Sequence, residues 1–441
     1  MILEDLKNKN FLVLGIGREG INSLKFLRKL FPKKILGIAD RLKIKDLRLR
    51  IKDKRTRLHL GKNYLKALKD YDVIIKSPGI PIHLPEIEKA FKEGKVTSQT
   101  EIFFENCPGK IIGVTGTKGK GTTASLIYRI LKEGGFKVHL IGNIGKPVLS
   151  TLFFKVKAND IFVYELSSHQ LYNLKKSPQV AVFLNLFAAH LDYYKNFREY
   201  VNAKANITRY QTNRDYLIFN SQDKLVKEIA KSSRAKKIPI PTNLGVIKNI
   251  RTPLIGKFNL KNVMAAVVVG KLFNIPKKKI REAIKSFKPL SHRLEFVGKY
   301  KGIEFYNDSL ATVPQAVEAA LEALENNKVK TLILGGCDQE SIDFTSLAKK
   351  ILESRIRTLI FLSPGTAEII WQKILSLKTK RRSSPEAFFV SSMKEAVKIA
   401  YQKTKKGEIC LLSPASPSFN LFRDYKERGN LFKKYVKKYA R

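Results

Sequence analysis

The sequence is short of acid. Across 441 residues, 38 Asp and Glu stand against 84 Lys and Arg, a formal charge of +46. Such an imbalance favours anionic partners: nucleic acid, acidic membrane or phosphorylated metabolites. The basic residues are spread along the whole chain with no basic tail, which argues for a lysine-rich solvated surface and against a specific nucleic-acid partner. Cysteine is scarce as well. Cys107, Cys337 and Cys410 form no CxxC pair, which excludes a disulfide framework and fits a reducing cytoplasm. The six histidines make no HExxH spacing, and no GxSxG elbow or kinase HRD/DFG set occurs. Zinc peptidase, serine hydrolase and protein kinase readings fall away. Long apolar runs are missing too: VMAAVVVGKLF (Val263 to Phe273) is too short to span a bilayer and contains Lys271. The opening MILEDLKNKN lacks the apolar stretch of a signal peptide. A soluble cytoplasmic chain without membrane insertion is expected.

What is present is a regular alternation. Apolar residues make up 44% of the chain, and short apolar runs alternate with helical patterns nearly throughout. That pattern predicts an α/β protein with largely parallel sheets. One series holds FLVLGIG (Phe11 to Gly17), ILGIAD (Ile35 to Asp40) and DVIIKSPGI (Asp72 to Ile80). A second holds KIIGVTG (Lys110 to Gly116), KVHLIGNIG (Lys137 to Gly145), DIFVYELSS (Asp160 to Ser168) and QVAVFLNL (Gln179 to Leu186). A third holds IEFYNDS (Ile303 to Ser309), KTLILGG (Lys330 to Gly336), RTLIFLSPG (Arg357 to Gly365) and EICLLSP (Glu408 to Pro414). Three series predict three domains, 1–100, 101–290 and 291–441.

Two glycine clusters follow strands and open helices. In GIGREG, Gly15, Gly17 and Gly20 follow the first strand, and Asp40 ends the next, as in a dinucleotide fingerprint where glycines admit a phosphate to a helix N-terminus. In GVTGTKGKGTTAS (Gly113 to Ser125), strand, glycine loop, Lys120 and the helix TTASLIYRILKEGG come in the order of a phosphate loop, but the spacing is not GxxxxGK[ST]. Loop N–H groups would hold phosphate oxygens, with the Lys120 ammonium at the β/γ edge and Thr122 as the nearest hydroxyl for Mg²⁺. Glu165 ends the strand DIFVYE, at the strand edge where ligands collect, and is a candidate Mg²⁺ ligand. His190 follows QVAVFLNL, and Lys204 lies on a predicted helix; in isolation both read as surface or packing residues.

Taken in order, these pieces resemble the Mur ligase family over essentially the whole chain. The resemblance is carried by GIGREG, SPGIP, GTKGKGTT, GNIG, ELSSHQL, HLD, NAK, GKFNLKNVMAA, HRLE, NDSLAT, LGGCD and LLSPASPSFNLF…ERG. It is closest to the family's D-glutamate-adding branch. It implies a Rossmann-like N-terminal domain, a central P-loop-type ATPase domain and a Rossmann-like C-terminal domain. The implied activity is ATP-dependent ligation of D-glutamate to UDP-N-acetylmuramoyl-L-alanine through an acyl phosphate, by a monomer. The runners-up are a related Mur-type or folylpolyglutamate synthase-like amide ligase with another amino acid and, from charge alone, a nucleotide-dependent nucleic-acid binder.

The resemblance also assigns residues. ATP would be held by Gly116, Thr117, Lys118, Gly119, Lys120, Gly121, Thr122, Asn259, Asn262, Arg293 and Asp308. The UDP substrate would meet Gly17, Arg18, Glu19, Gly20, Asp40, Arg41, Ser77, Gly79, Asn143 and Ser167. The amino acid would meet Ser413, Ser418 and Phe419. Two Mg²⁺ ions are implied, with Thr122, Glu165, His190 and a CO₂-derived carbamate on Lys204 as ligands. Catalysis would rest on Lys120, Glu165, His190 and Lys204. Five positions depart from the family pattern: Gly121, Ala189, Phe258, Leu310 and Gln339. The last two stand where the family carries lysines near the amino-acid substrate.

Overall fold

The strands of three sheets are built from the apolar runs. The computed structural model describes residues 7–42, 54–153, 156–189, 193–242, 252–324, 328–337, 342–378 and 385–440. The first sheet holds β1 Phe11–Leu14, β2 Leu36–Asp40, β3 Thr56–Leu60, β4 Val73–Lys76 and β5 Val96–Thr97, in the order β3-β2-β1-β4-β5. The second holds β6 Lys110–Thr115, β7 Val138–Gly142, β8 Ile161–Glu165, β9 Val180–Phe183, β10 Tyr216–Phe219 and β11 Lys236–Pro239, in the order β11-β10-β9-β6-β8-β7. The third holds β12 Glu295–Tyr300, β13 Ile303–Asn307, β14 Val329–Leu334, β15 Thr358–Leu362, β16 Glu386–Val390 and β17 Ile409–Leu412, in the order β12-β13-β17-β14-β15-β16.

The expected α/β architecture with parallel sheets is the one observed. Every described strand pair is parallel except β12 with β13. Central strands such as FLVL, IFVYE and TLIFL are buried at every position, as a sheet covered on both faces requires. Six strands had no counterpart among the sequence runs: β3, β5, β10, β11, β12 and β16. Five of them lie on sheet edges, and three of those, TRLHL, KKIP and EFVGKY, have no buried position. Edge strands lack the continuous apolar signal because one side of the pairing faces away from the core. The other is β10, YLIF, whose four residues are too short a run to separate from a buried helix turn.

By contacts the chain forms two compact units: Met1–Arg251 with Lys261–Ser286, and Thr252–Leu260 with Phe287–Arg441. The first unit holds two sheets because they share one apolar core. The joint is the helix Gln99–Asn106, whose Phe103 ring meets Phe162 of β8 at 5.2 Å and Tyr164 at 5.8 Å. Thr100 closes the contact through its hydroxyl, 2.9 Å from that of Tyr164. The second unit packs its sheet between two separate apolar clusters. Among the described residues, no helix is long and apolar enough to cross a membrane.

Candidate active site

In the first unit, two glycine loops leave the carboxyl ends of neighbouring sheets, each where the strand order reverses. The first follows β1 and opens the helix Arg18–Leu30. Gly15 sits at φ +88°, and a Cβ on Gly20 would lie 1.8 Å from the Gly15 carbonyl oxygen, so only glycine fits there. Ser77, just past β4, ties in by donating its hydroxyl to Gly15 O at 2.7 Å. Asp40 is buried, and its two carboxylate oxygens accept the backbone N–H groups of Ile16 at 2.7 Å and Leu42 at 2.9 Å. Arg41 is exposed beside it.

The helix that follows reaches the second sheet. Arg18 donates to the carbonyls of Asn143 at 3.0 Å and Gly145 at 3.1 Å. Gln170 donates to the Glu19 carboxylate at 2.8 Å. Burial raises the pKa of Glu19, while Gln170, Arg18 and Lys76 oppose the shift. Arg18, Glu19 and Asn143 thus line one cavity of about 80 Å³. Ser167 lies beyond it, and its hydroxyl accepts Gln170 N–H at 3.2 Å in a capping box.

The second loop follows β6 and opens the helix Lys120–Glu133. Gly119 takes φ +86°, and a Cβ there would meet Asn262 Oδ1 at 2.3 Å. Sequence patterning did not single out Asn185, the loop's main clamp. Its carbonyl accepts Thr117 N–H at 2.9 Å, its Oδ1 accepts Lys118 N–H at 2.8 Å, and its amide donates to Lys118 O at 3.0 Å. The N–H groups of Thr117 and Lys118 are thus both bonded to Asn185. Asn185 holds both because a tight loop at a sheet edge must satisfy its own amides. An asparagine just past a buried strand was the available signal.

Charge sets this loop apart. Lys120 Nζ donates to Gly116 O at 3.0 Å and Thr117 O at 3.2 Å. Lys204, 1% exposed on the helix Phe197–Arg209, donates to the same Gly116 O at 3.0 Å. Two lysine amines therefore converge on one carbonyl. Burial first, then Lys120, pushes the Lys204 pKa well below the usual lysine value, with Glu165 opposing. Glu165, at the end of β8, is 3% exposed, and its Oε2 has no hydrogen-bond partner. Thr122 and Thr123 are buried at the start of the helix, and Thr123 Oγ1 is also without a partner. A buried carboxylate oxygen left unsatisfied is a donor of the kind a hard cation takes. His190 lies outside the described residues, as does Gln339.

In the second unit, the turn before β12 and the loops after β13 and β17 converge. Asp308 Oδ1 accepts Leu294 N–H at 3.0 Å, and its Oδ2 accepts the Ser413 hydroxyl at 3.1 Å. Arg293 is half-buried between His292 at φ +65° and Leu294 at φ +46°, two left-handed non-glycine residues. Strain of that kind persists where surrounding contacts over-determine a side chain's direction. Beneath the loops lies Arg428, fully buried, which donates to the carbonyls of Ser309, Gly335, Ser416 and Pro417 and to the Ser309 hydroxyl. Burial lowers its pKa to about 10. Ser418 is buried, Phe419 is 73% exposed, and Asn259 is buried with its amide on Ile255 O at 2.7 Å.

Three family models match consecutive parts of the chain: Mur ligase MurD-like, N-terminal domain, over residues 9–97; Mur ligase middle domain over 114–246; and Mur ligase, glutamate ligase domain, over 292–416. A UDP-N-acetylmuramoylalanine–D-glutamate ligase of Acetivibrio thermocellus is 35% identical over 98% of this chain and 97% of its own length. One from Clostridium botulinum is likewise 35% identical, with the same coverage. Among solved structures, UDP-N-acetylmuramate-alanine ligase of Thermotoga maritima aligns with TM-score 0.62 at 17% identity, over 98% of this chain and 99% of that one. A pseudomurein peptide ligase of Methanothermus fervidus aligns with TM-score 0.57 at 18% identity, over 97% of this chain and 100% of that one. At these identities the structures speak to the fold.

Proposed function

The chain belongs to the Mur ligase family, and from that premise we propose that it is an ATP-dependent ligase joining D-glutamate to UDP-N-acetylmuramoyl-L-alanine in peptidoglycan precursor synthesis. The reading is carried by one observation: Lys120 and Lys204 crowd onto Gly116 O beside a Glu165 oxygen that nothing satisfies. The Lys120 ammonium calls for an anion, and the unsatisfied carboxylate calls for a cation. A magnesium–triphosphate supplies both.

A carboxylate is a poor electrophile and does not condense with an amine in water. In the proposed reaction the L-alanyl carboxylate oxygen attacks the γ-phosphorus of ATP, forming an acyl phosphate as the bond to ADP breaks. The D-glutamate amine then attacks the acyl carbon, and inorganic phosphate leaves with the former carboxylate oxygen. Lys120 neutralises charge as one anion approaches another, and the first N–H groups of its helix take phosphate oxygens. Asn262 borders the loop at Gly119 and limits its backbone to one path. Mg²⁺, held by Glu165, Thr122 and His190, would screen the phosphates during transfer.

Burial favours the neutral amine of Lys204. A neutral amine adds CO₂ and releases a proton to solvent, which would convert it into an anionic oxygen ligand for a second Mg²⁺. We assign Arg293 and Asp308 to ATP, and Ser413, Ser418 and Phe419 to the amino acid. Gly17–Gly20, Asp40, Arg41, Ser77, Gly79, Asn143 and Ser167 go to the UDP substrate. Domains 1–100, 101–290 and 291–441 divide these tasks, in a cytoplasmic monomer. Phosphate release measured with UDP-N-acetylmuramoyl-L-alanine, ATP and a panel of L- and D-amino acids tests the reading. Release that requires the sugar nucleotide and D-glutamate supports it; release with folate and glutamate instead overturns it.

A further inference from the structure

Lys76 is a buried cation for which the ligation chemistry has no use. It ends β4 and is 8% exposed. Its Nζ donates to the carbonyls of Ser77 at 3.1 Å and Ile80 at 2.7 Å, and to the Tyr193 hydroxyl at 3.2 Å. The Tyr193 hydroxyl donates in turn to Ile80 O at 3.1 Å. An ammonium has three N–H donors, and this cage offers three oxygens, so the protonated side chain is the form it matches. All three acceptors are uncharged.

The groups that meet at Lys76 belong to different sheets. The turn Ser77–Ile80 follows β4, is closed by Ile80 N–H on Ser77 O at 3.2 Å, and is bonded to the glycine loop through Ser77 N–H on Leu14 O at 2.8 Å. Tyr193 belongs to the segment between β9 and the helix Phe197–Arg209, three positions after His190. Its ring packs edge-on against His169 at 4.2 Å.

The arrangement is held against the preference of the fold. Burial lowers the Lys76 pKa to about 7, with Glu19 drawing it back. Three neutral oxygens therefore fall short of the water they replace, and the ammonium costs stability. A side chain serving only to fill this space would do better as methionine. Local choices that work against stability cluster where ligands are handled.

We propose that Lys76 is a positioning residue for the sugar nucleotide: it locks the Ser77–Ile80 turn against Tyr193, fixing the turn that receives the uridine sugar to the segment that carries His190. The proposal rests on the ligase reading for the identity of the ligand. Its charge, unmatched by any acceptor of the cage, also favours an anion beside the turn.

Steady-state ligation by Lys76→Met, Lys76→Arg and Tyr193→Phe tests it, together with thermal unfolding and hydrogen exchange of the ligand-free chain. In Lys76→Met the KM for UDP-N-acetylmuramoyl-L-alanine rises about tenfold, the worth of one charge-assisted hydrogen bond. The KM for ATP stays put, and the unfolding temperature is unchanged or higher. Lys76→Arg recovers part of the loss. Tyr193→Phe shifts the same KM by less, and the double variant falls short of additivity because the two groups share one cage. Amides at Ser77, Gly79 and Ile80 and those following Tyr193 exchange faster together in Lys76→Met. A packing role gives the reverse: a lower unfolding temperature with both KM values and kcat damaged alike, which overturns the proposal. No change in KM overturns it as well. Should the wild-type chain ligate nothing, the ligase reading fails, and the exchange data still decide the lock: unaltered exchange in either segment sinks it.

Discussion

The two glycine loops of the first unit share a pattern and differ in chemistry. Each joins a buried parallel strand to a helix, and each contains a glycine that no other residue can replace without collision, Gly20 in one and Gly119 in the other. The first loop is satisfied from within: Asp40 takes the Ile16 and Leu42 amides, and Ser77 takes the Gly15 carbonyl. The second gathers ionisable groups, with two lysine amines on one carbonyl and a Glu165 oxygen without a hydrogen bond. The difference teaches that glycine spacing reports backbone geometry, whereas the groups delivered from other elements decide what chemistry a loop can offer a ligand. The first loop offers a shaped turn and the second ionisable groups.

That contrast breaks most visibly at Lys120. Lys120→Met lowers kcat on the order of 10²–10³-fold, the loss seen when one preorganised donor to a developing charge is removed. Its unfolding temperature stays near that of the wild type; a variant that keeps its rate and loses stability would put the two loops in one class. Gly20→Ala has its effect on folding instead. With Gly15 O at 1.8 Å from the new Cβ, it costs about 1–3 kcal/mol of overpacking, read as a lower unfolding temperature. Asp40→Ala leaves two buried amides without acceptors and costs about 1–3 kcal/mol by the same measurement. If it impaired sugar-nucleotide binding at full stability, Asp40 would be a ligand contact before a structural one.

Bicarbonate sharpens the second loop further. Depleting CO₂ and bicarbonate lowers wild-type ligation, and restoring them recovers it, whereas Lys204→Ala does not respond to either. Lys204→Ala matching wild type with bicarbonate present would remove the carbamate. A further effect is a pH dependence at Lys76. Its folded pKa of about 7 lies below the ordinary 10.5, so the unfolded chain binds the extra proton between those values. Its contribution to stability is therefore full above about 10.5 and is lost as pH falls through about 7. Thermal unfolding of wild type against Lys76→Met across that window reads the slope; parallel curves would contradict it.

Much of the second loop is legible in the order of its residues. GTKGKGTT between an apolar strand and an amphipathic helix points to phosphate chemistry by order alone, and Glu165 at a strand's carboxyl end points to a cation. Lys204 is not legible from its own neighbourhood, since a lysine on a helix reads as solvated surface. Its 1% exposure arises because the helix Phe197–Arg209 lays that face against Gly116. Asn185, Lys76 and Arg428 escape sequence patterning for a related reason. Each is a polar residue whose partners lie far along the chain: Asn185 across the sheet edge, Lys76 at Tyr193, and Arg428 under three loops. Periodicity does not register such pairings.

By itself the chain determined its α/β class, its parallel sheets and the places where loops meet strand ends, because burial on both faces of a sheet imprints continuous apolar runs and tight strand–helix turns demand glycine. Tertiary structure alone decided which polar groups are satisfied and which are left over. Satisfaction is a property of distance in space, and two lysine amines become neighbours only when separate elements have packed.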